Sequence, residues 1–122
     1  MVHSLMDGDV RLRVVFFRTE AGNEPVRVWL KKLDQNDRKT IGEDIKTVQF
    51  GWPLGMPLVR KLDAELWEVR SNLHDGIARV LFTVHQHIMV LLHGFIKKSK
   101  KTPVADLNTA KRRLAQFKEQ AS

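Results

Sequence analysis

Two arginines on neighbouring segments are the side chains best suited to bind an anion. Arg70 and Arg79 flank Asp75-Gly76, a dipeptide that favours a tight type I′ hairpin turn. Counting outward from a two-residue loop at this dipeptide places both arginines on one face of the hairpin, as diagonal neighbours close enough to share an anion. A guanidinium is always charged and matches phosphate oxygens two at a time. The sequence therefore predicts a phosphate site in the middle of a sheet, with the implied pairs Arg70–Leu81, Asn72–Arg79 and His74–Ile77.

The positive charge of the chain is concentrated in its second half. Residues 1–59 carry nine Lys/Arg and eight Asp/Glu, whereas residues 60–122 carry twelve and six, which gives nets of +1 and +6. A polyanion such as nucleic acid is therefore the first partner to consider. The alternative is a solvated face on which the arginines pair with Glu68 and Asp75. The excess includes two clusters: Lys97, Lys98, Lys100 and Lys101, then Lys111, Arg112 and Arg113.

One histidine could serve as a general base beside the first lysine cluster. If the bound anion is a phosphodiester, its cleavage without a metal needs a base for an attacking hydroxyl, positive charge for the phosphorane and an acid for the leaving oxygen. His93 is the best-placed imidazole, because the nearby lysine charge favours its neutral form. Lys97 or Lys98 could then act as the acid, while Arg79 and Arg70 stabilise the phosphorane. The alternative is a packed histidine that bonds a backbone carbonyl.

Other residue types exclude or disfavour several kinds of functional site. The chain has no cysteine, which excludes disulfides, thiolate metal sites and thiol nucleophiles and is typical of a reducing compartment. His85-Gln86-His87 has no obvious third ligand, which favours a surface turn over a metal site, and no cofactor is expected. Trp52, in a loop rich in Pro and Gly, could stack a base or anchor the loop.

The first seven residues lack a secretory-signal pattern and no apolar run could span a membrane, so we expect a cytoplasmic protein with no membrane partner.

The hydrophobic pattern predicts one domain over residues 1–122, with a core from about 11 to 117. A strand at 12–17 precedes two helices, the first capped at Asn23 and the second ending near Gly51. After a loop at 52–57, two alternating segments and the apolar run 87–96 predict three strands, and Thr102-Pro103 caps a closing helix. The order β-α-α-β-β-β-α predicts an α+β fold, with a mainly antiparallel twisted sheet packed on one side by helices. The predicted core face, opposite the arginines, carries Trp67, Val69, Ala78, Val80, Phe82 and Val84.

Several segments resemble a known family. Residues 61–63, 66–70 and 78–82 (Lys-Leu-Asp, Leu-Trp-Glu-Val-Arg and Ala-Arg-Val-Leu-Phe) resemble the signature of the RelE/ParE superfamily of bacterial toxins. Residues 91–103, Leu-Leu-His-Gly-Phe-Ile-Lys-Lys-Ser-Lys-Lys-Thr-Pro, are similar to a segment of its HigB-like, phage-derived branch. The resemblance covers roughly residues 11–117.

The resemblance implies a RelE-like fold and the toxin of a type II toxin–antitoxin system. Such toxins cut mRNA in the ribosomal A site, and a helix-turn-helix, HigA-like antitoxin neutralises them. By position, Arg79 would contact the scissile phosphate, and Lys97 or Lys98 would supply the basic residue after the last strand. Arg70 and Lys61 match basic positions used for RNA or ribosome contact. The clusters add Lys100, Lys101, Arg112 and Arg113 to the predicted RNA-binding residues.

Two departures from the family leave other functions open. The chain has no tyrosine, which several relatives use near the C-terminal end, and Leu66 and Glu68 stand near positions where some members have lysines. The acid–base scheme of those relatives therefore does not transfer as a whole. Besides a ribosome-dependent mRNA endonuclease, the sequence allows a ParE-like inhibitor of DNA gyrase or a basic RNA-binding module without catalysis.

Overall fold

A five-stranded sheet forms the middle layer, and helices cover both of its faces. The computed structural model describes residues 11–121, so the expectation about the first seven residues lies outside the described part. None of the described helices is long and apolar enough to cross a membrane. The elements are β1 (Arg13–Phe16), α1 (Pro25–Lys32), α2 (Gln35–Gly51), β2 (Val59–Asp63), β3 (Leu66–Leu73), β4 (Gly76–His85), β5 (Ile88–Lys97) and α3 (Val104–Ala121).

The strands lie in the order β1-β5-β4-β3-β2. Among the described strands, the β1–β5 pair is parallel and the other three pairs are antiparallel, which confirms the predicted α+β class with a mainly antiparallel sheet. The predicted order lacked one strand, β2, which pairs with β3 at the edge of the sheet. Of its five residues only Val59 is buried, so the segment lacks the alternation that marks a half-buried strand.

Helices lie on both faces of the sheet, which corrects the prediction of a single covered face. Helices α1 and α2 pack on the predicted core face, where Val69, Val80 and Phe82 join Ile41 and other helix residues in one cluster. Helix α3 covers the opposite face with a second cluster, formed by Phe17, Leu66, Leu81, Val90, Leu92, Phe95 and Ala110. The arginine face of the sheet is therefore also a core face.

The register of the β3–β4 hairpin differs from the predicted one. The two-residue loop is His74-Asp75, because Leu73 pairs with Gly76. Arg70 therefore lies directly opposite Arg79 and not on its diagonal. The difference moves the pairing by an even number of positions, so both arginines keep the predicted face.

A bulge in β5 aims several side chains at α3. Leu81 pairs with His93 and Phe82 with Leu91, which leaves Leu92 without a partner on β4. An extra residue of this kind lets two consecutive side chains point to the same face of a sheet. Both Leu92, in the second core cluster, and His93 contact groups on the α3 side. The bulge thus sets which β5 residues reach the arginine face.

The two N-terminal helices begin differently from each other. Helix α1 begins after Glu24, whose side chain makes no capping hydrogen bond, and Pro25 is its first residue. The predicted cap at Asn23 is wrong: its backbone N–H instead donates to the Thr19 hydroxyl at 3.1 Å. Helix α2 begins after Asp34, whose Oδ1 accepts from the Asp37 backbone N–H at 2.8 Å, as expected of a carboxylate cap.

Helix α1 packs on β5 where Gly94 has no side chain. A Cβ placed on Gly94 would lie 2.9 Å from Cδ2 of the Trp29 ring, and closer still to Cε3 and Cζ3. The indole therefore lies directly on the strand backbone. Any larger residue at position 94 must displace this ring.

We expect Gly94→Ala to lower the free energy of unfolding by about 1–3 kcal/mol, because an overpacked core forces side chains from their preferred rotamers. Urea unfolding measured by circular dichroism checks this. Gly55→Ala is the matched control, since a Cβ there meets nothing within 4 Å. Equal stabilities for the two variants would contradict the packing of Trp29 on β5.

Candidate functional site

Arg79 lies beneath the segment that joins β5 to α3. We call this segment, residues 98–102, the strap. Arg79 is 0% exposed. Its Nη1 donates to the Lys101 carbonyl at 3.2 Å, and its Nη2 donates to the Ser99 carbonyl. The guanidinium is therefore occupied by main-chain oxygens, and the prediction that it stands open to phosphate is wrong for this conformation.

Arg70 holds the same strap from the neighbouring strand. Its Nη2 donates to the Lys100 carbonyl at 3.1 Å. Its Nε lies 3.9 Å from Oε2 of Glu68, a carboxylate that is 0% exposed. Arg70 thus pairs with Glu68, as in the alternative interpretation, although Glu68 lies on a buried face and not on a solvated one. Together the two arginines bind the carbonyls of three consecutive strap residues.

Glu68 ties the far end of the strap to the sheet. Its Oε1 accepts from the Thr102 hydroxyl at 2.9 Å. Within the described chain, no backbone N–H donates to that hydroxyl, so Thr102 does not cap α3 as predicted. Burial of a carboxylate is costly unless hydrogen-bond donors and positive charge lie close to it. Thr102 supplies a donor to Oε1, and Arg70 supplies positive charge 3.9 Å from Oε2, which has no hydrogen-bond partner among the described residues.

The site remains rich in positive charge despite Glu68. Burial lowers the pKa of the Arg79 guanidinium from its ordinary value, and Glu68 opposes that shift. The ordinary value is so high that the group stays charged near neutral pH. Arg79 also lies beside the Phe95 ring, with 5.6 Å from Cζ to the ring centroid, at a distance typical of cation–π contacts.

The strap lysines are exposed above this buried layer. Lys98, Lys100 and Lys101 are all exposed, and so is Lys97 at the end of β5. Lys97 Nζ lies 3.8 Å from Oδ2 of Asp106. The predicted catalytic and RNA-binding lysines of the first cluster are therefore brought together on one accessible surface. Arg79 and Arg70 support that surface from below.

Both ring nitrogens of His93 have partners. Nε2 lies 2.7 Å from Oδ1 of Asp106, and Nδ1 lies 3.3 Å from Nη1 of Arg113. Since a guanidinium can only donate, Nδ1 must be the acceptor, and Nε2 carries the hydrogen that it donates to Asp106. His93 is thus packed in a polar network, as in the alternative interpretation, although its partners are side chains and not a carbonyl.

Arg113 completes this network from α3. Its Nη1 also donates to the Leu92 carbonyl, on the β5 bulge, at 2.8 Å. Burial, and to a smaller extent the charge of Arg112, lower the pKa of Arg113 from its ordinary value. Arg113 therefore fixes the sheet to the helix and is only partly exposed, whereas Arg112 is exposed.

Lys61 is the predicted residue that the structure separates from the others. It pairs with Trp67, which belongs to the α1–α2 face, and its Nζ lies 5.7 Å from the Trp67 ring centroid. Its neighbour Arg60 pairs with Glu68 and therefore shares the face of Arg79. Arg60 is exposed and was missed by the sequence analysis, because β2 itself was not predicted.

His85, His87 and Trp52 are the remaining residues for which the sequence leaves a metal or base contact open. The described residues contain no group of three or more His, Cys, Asp or Glu side chains placed to hold a metal ion. Gln86 and His87 form the β4–β5 turn with positive φ angles of 49° and 66°, as a type I′ turn requires. Trp52 packs edge-on against Trp67, with ring centroids 5.1 Å apart, so it anchors its loop.

Comparison with known families agrees with this fold. Residues 28–115 match the model of the family described as "Phage derived protein Gp49-like (DUF891)". The match covers more than half of the chain, so the chain belongs to this family, which is a toxin-like family of the RelE/HigB type. No curated protein matches the chain. The family as a whole is consistent with toxins of toxin–antitoxin systems, which have an antitoxin partner.

We expect Thr102→Val to destabilise the protein by about 1–3 kcal/mol, because Glu68 then loses its hydroxyl donor in a buried site. Thermal or urea unfolding checks this value. Thr47→Val is the control: Thr47 is exposed on α2 and its hydroxyl donates only to the Glu43 carbonyl of the same helix. A change in Thr102→Val no larger than in this control would show that the strap is not anchored through Glu68.

Proposed function

We propose that the protein is the toxin of a type II toxin–antitoxin system and acts as a ribosome-dependent mRNA endonuclease that needs no metal ion. Membership of a toxin-like family supports the toxin role. The target and the reaction are inferred from the chemistry of the strap. In this proposal the partners are the ribosome with its mRNA and a helix-turn-helix antitoxin.

The observation that carries the proposal is the exposed lysine surface of the strap. Lys97, Lys98, Lys100 and Lys101 lie above the buried Arg79 and the partly exposed Arg70, whereas only Glu68 and Asp106 supply negative charge among the contacts described above. Such an excess of one sign on a small surface attracts a polyanion. The positively charged side chains of the strap repel one another. Phosphate groups of RNA bound among them would offset this repulsion by attraction.

The charge that develops on the phosphorane would be stabilised by the strap. The lysine ammonium groups can reach a bound phosphate directly, while Arg70 and Arg79 add positive charge from beneath. Preorganised charge of this kind is worth more than mobile charge, because nothing has to reorient as the reaction proceeds. Lys97 or Lys98, both exposed, would protonate the leaving 5′-oxygen.

The general base requires one exchange of partners. In the arrangement described, the Nδ1 lone pair of His93 faces Arg113. To remove a proton from a 2′-hydroxyl, Nδ1 must release Arg113 and accept the hydroxyl. Asp106 would then stabilise the imidazolium that forms, through its bond to Nε2.

A ParE-like inhibitor of DNA gyrase is the second candidate. Neither Arg79 nor His93 has a free hydrogen-bonding group facing solvent, which favours a toxin that binds its target without cleaving RNA. In a supercoiling assay with purified gyrase, inhibition without RNA cleavage would establish this candidate. We rank it second because the lysine surface suits a flexible phosphate backbone.

Induction of the chain alone in bacteria should arrest growth and produce new mRNA 5′ ends that recur at the same codon position. The triple variant Lys98→Gln, Lys100→Gln, Lys101→Gln should reduce these cuts by roughly tenfold or more, since each lost phosphate contact weakens binding. Sequencing of mRNA ends before and after induction measures both effects.

A second triple variant controls for net charge. Lys31→Gln, Lys32→Gln and Lys39→Gln remove the same charge from exposed positions on α1 and α2, away from the strap. This variant should cut mRNA as the unmodified chain does. Growth arrest without codon-associated mRNA ends would contradict the endonuclease proposal. An equal loss of mRNA cleavage in both triple variants would contradict the assignment of the strap as the site.

A further inference from the structure

The backbone of the strap has a definite orientation. In a planar trans peptide, the N–H of one residue points opposite to the carbonyl of the residue before it. The peptide bonds of the strap are trans. The carbonyls of Ser99, Lys100 and Lys101 point at the arginines. The N–H groups of the following residues, Lys100, Lys101 and Thr102, must therefore point away from the arginines.

These three N–H groups have no acceptor within the described chain. Neither a backbone carbonyl nor a side chain accepts from Lys100, Lys101 or Thr102 N–H among residues 11–121. Successive backbone N–H groups on one side of a segment make an anion-binding surface. The exposed ammonium groups of Lys98, Lys100 and Lys101 surround it.

We propose that the strap is a phosphate-binding loop, in which the N–H groups of Lys100, Lys101 and Thr102 bind the RNA backbone and Arg70 and Arg79 are positioning residues. The arginines act through the strap: they hold its carbonyls against the sheet and so turn its N–H groups outward. The inference rests on the proposed function, because it names how that same site takes its phosphodiester ligand.

The geometry of Arg79 explains why an arginine stands at this position. Its two terminal nitrogens hold two carbonyls, those of Ser99 and Lys101, which flank the carbonyl held by Arg70. A planar fork of donors can hold both oxygens at once, whereas a lysine ammonium is a single point on a flexible stem. Both Nη groups are engaged, and the Nε–H, which has no acceptor among the described residues, is buried with the rest of the side chain, so Arg79 cannot reach a phosphate in solvent directly.

Titration followed by nuclear magnetic resonance tests the proposal on the full chain. The probe is a single-stranded oligonucleotide made entirely of deoxynucleotides, which lacks the 2′-hydroxyl and is not cleaved. We expect the amide signals of Lys100, Lys101 and Thr102 to shift with the probe, while the Arg79 side-chain Nε signal stays in place. Amides of Lys31 and Lys32 should not move.

Two results would overturn the proposal. One is movement of the Arg79 and Arg70 side-chain signals with unmoved strap amides, which would mean that the arginines bind phosphate themselves. The other is shifts spread equally over every lysine-bearing surface, which would mean that the probe binds by net charge alone. Absence of any binding would also overturn it.

Charge-preserving variants add a second, independent measurement. Arg79→Lys and Arg70→Lys keep the charge but cannot hold the carbonyls as before, so we expect the affinity for the oligonucleotide to fall by about tenfold in Arg79→Lys. The slope of log affinity against log salt should stay unchanged, since the number of phosphate contacts is unchanged. Lys100→Gln, which removes a charge at the surface, should reduce that slope by about 0.7.

Arg38→Lys is the matched control, because Arg38 is exposed on α2, away from the strap. Unchanged affinity in Arg79→Lys, with a fold intact by circular dichroism, would contradict the positioning role. If Arg79→Lys does not fold, the titration of the unmodified chain decides. Because binding is measured without cleavage, a chain that binds through the strap amides but cuts no mRNA would refute the proposed function and leave this inference standing.

Discussion

The bonds from a buried guanidinium to main-chain oxygens are the interaction on which the site depends. Arg79 lies 0% exposed on the middle strand of the sheet and holds the strap at Ser99 and Lys101. Bonds from a charged donor are stronger than neutral ones, and loss of both bonds would leave a buried charge without a hydrogen-bond partner. The strap is therefore bound to the sheet at its centre, and its lysines are presented from a fixed backbone.

The two faces of the sheet differ in what packs on them: one is apolar, and the other also carries the polar networks of the site. On one face, α1 and α2 cover a purely apolar cluster, and Trp29 reaches the strand backbone at Gly94. On the other face, α3 covers a smaller apolar cluster beside two polar networks. One network joins the sheet arginines and Glu68 to the strap, and the other joins His93 to Asp106 and Arg113. The β5 bulge at Leu92 directs His93 toward the second network.

Much of this arrangement could be predicted from the sequence, and the rest depends on tertiary contacts. The alternation of Arg70 and Arg79 with apolar residues predicts their shared face, because the period of a strand is two. It does not reveal what covers that face, so the closing helix α3 was predicted but its position on the arginine face, together with that of the strap, was not. Asp106 was missed because its partner His93 is thirteen residues away on another element. Spacing on α3 offers a signal: Asp106, Ala110 and Arg113 share a helical face.

The central claim is that Arg79 supports the strap from a position sealed from water. The exchange of its guanidinium protons with solvent, measured by nuclear magnetic resonance, tests this most directly, with exposed Arg38 as the internal reference. Protons held by carbonyls and covered by a segment of the chain exchange only when that segment opens. We predict that the Arg79 protons exchange much more slowly than those of Arg38. Equal exchange rates would contradict the account.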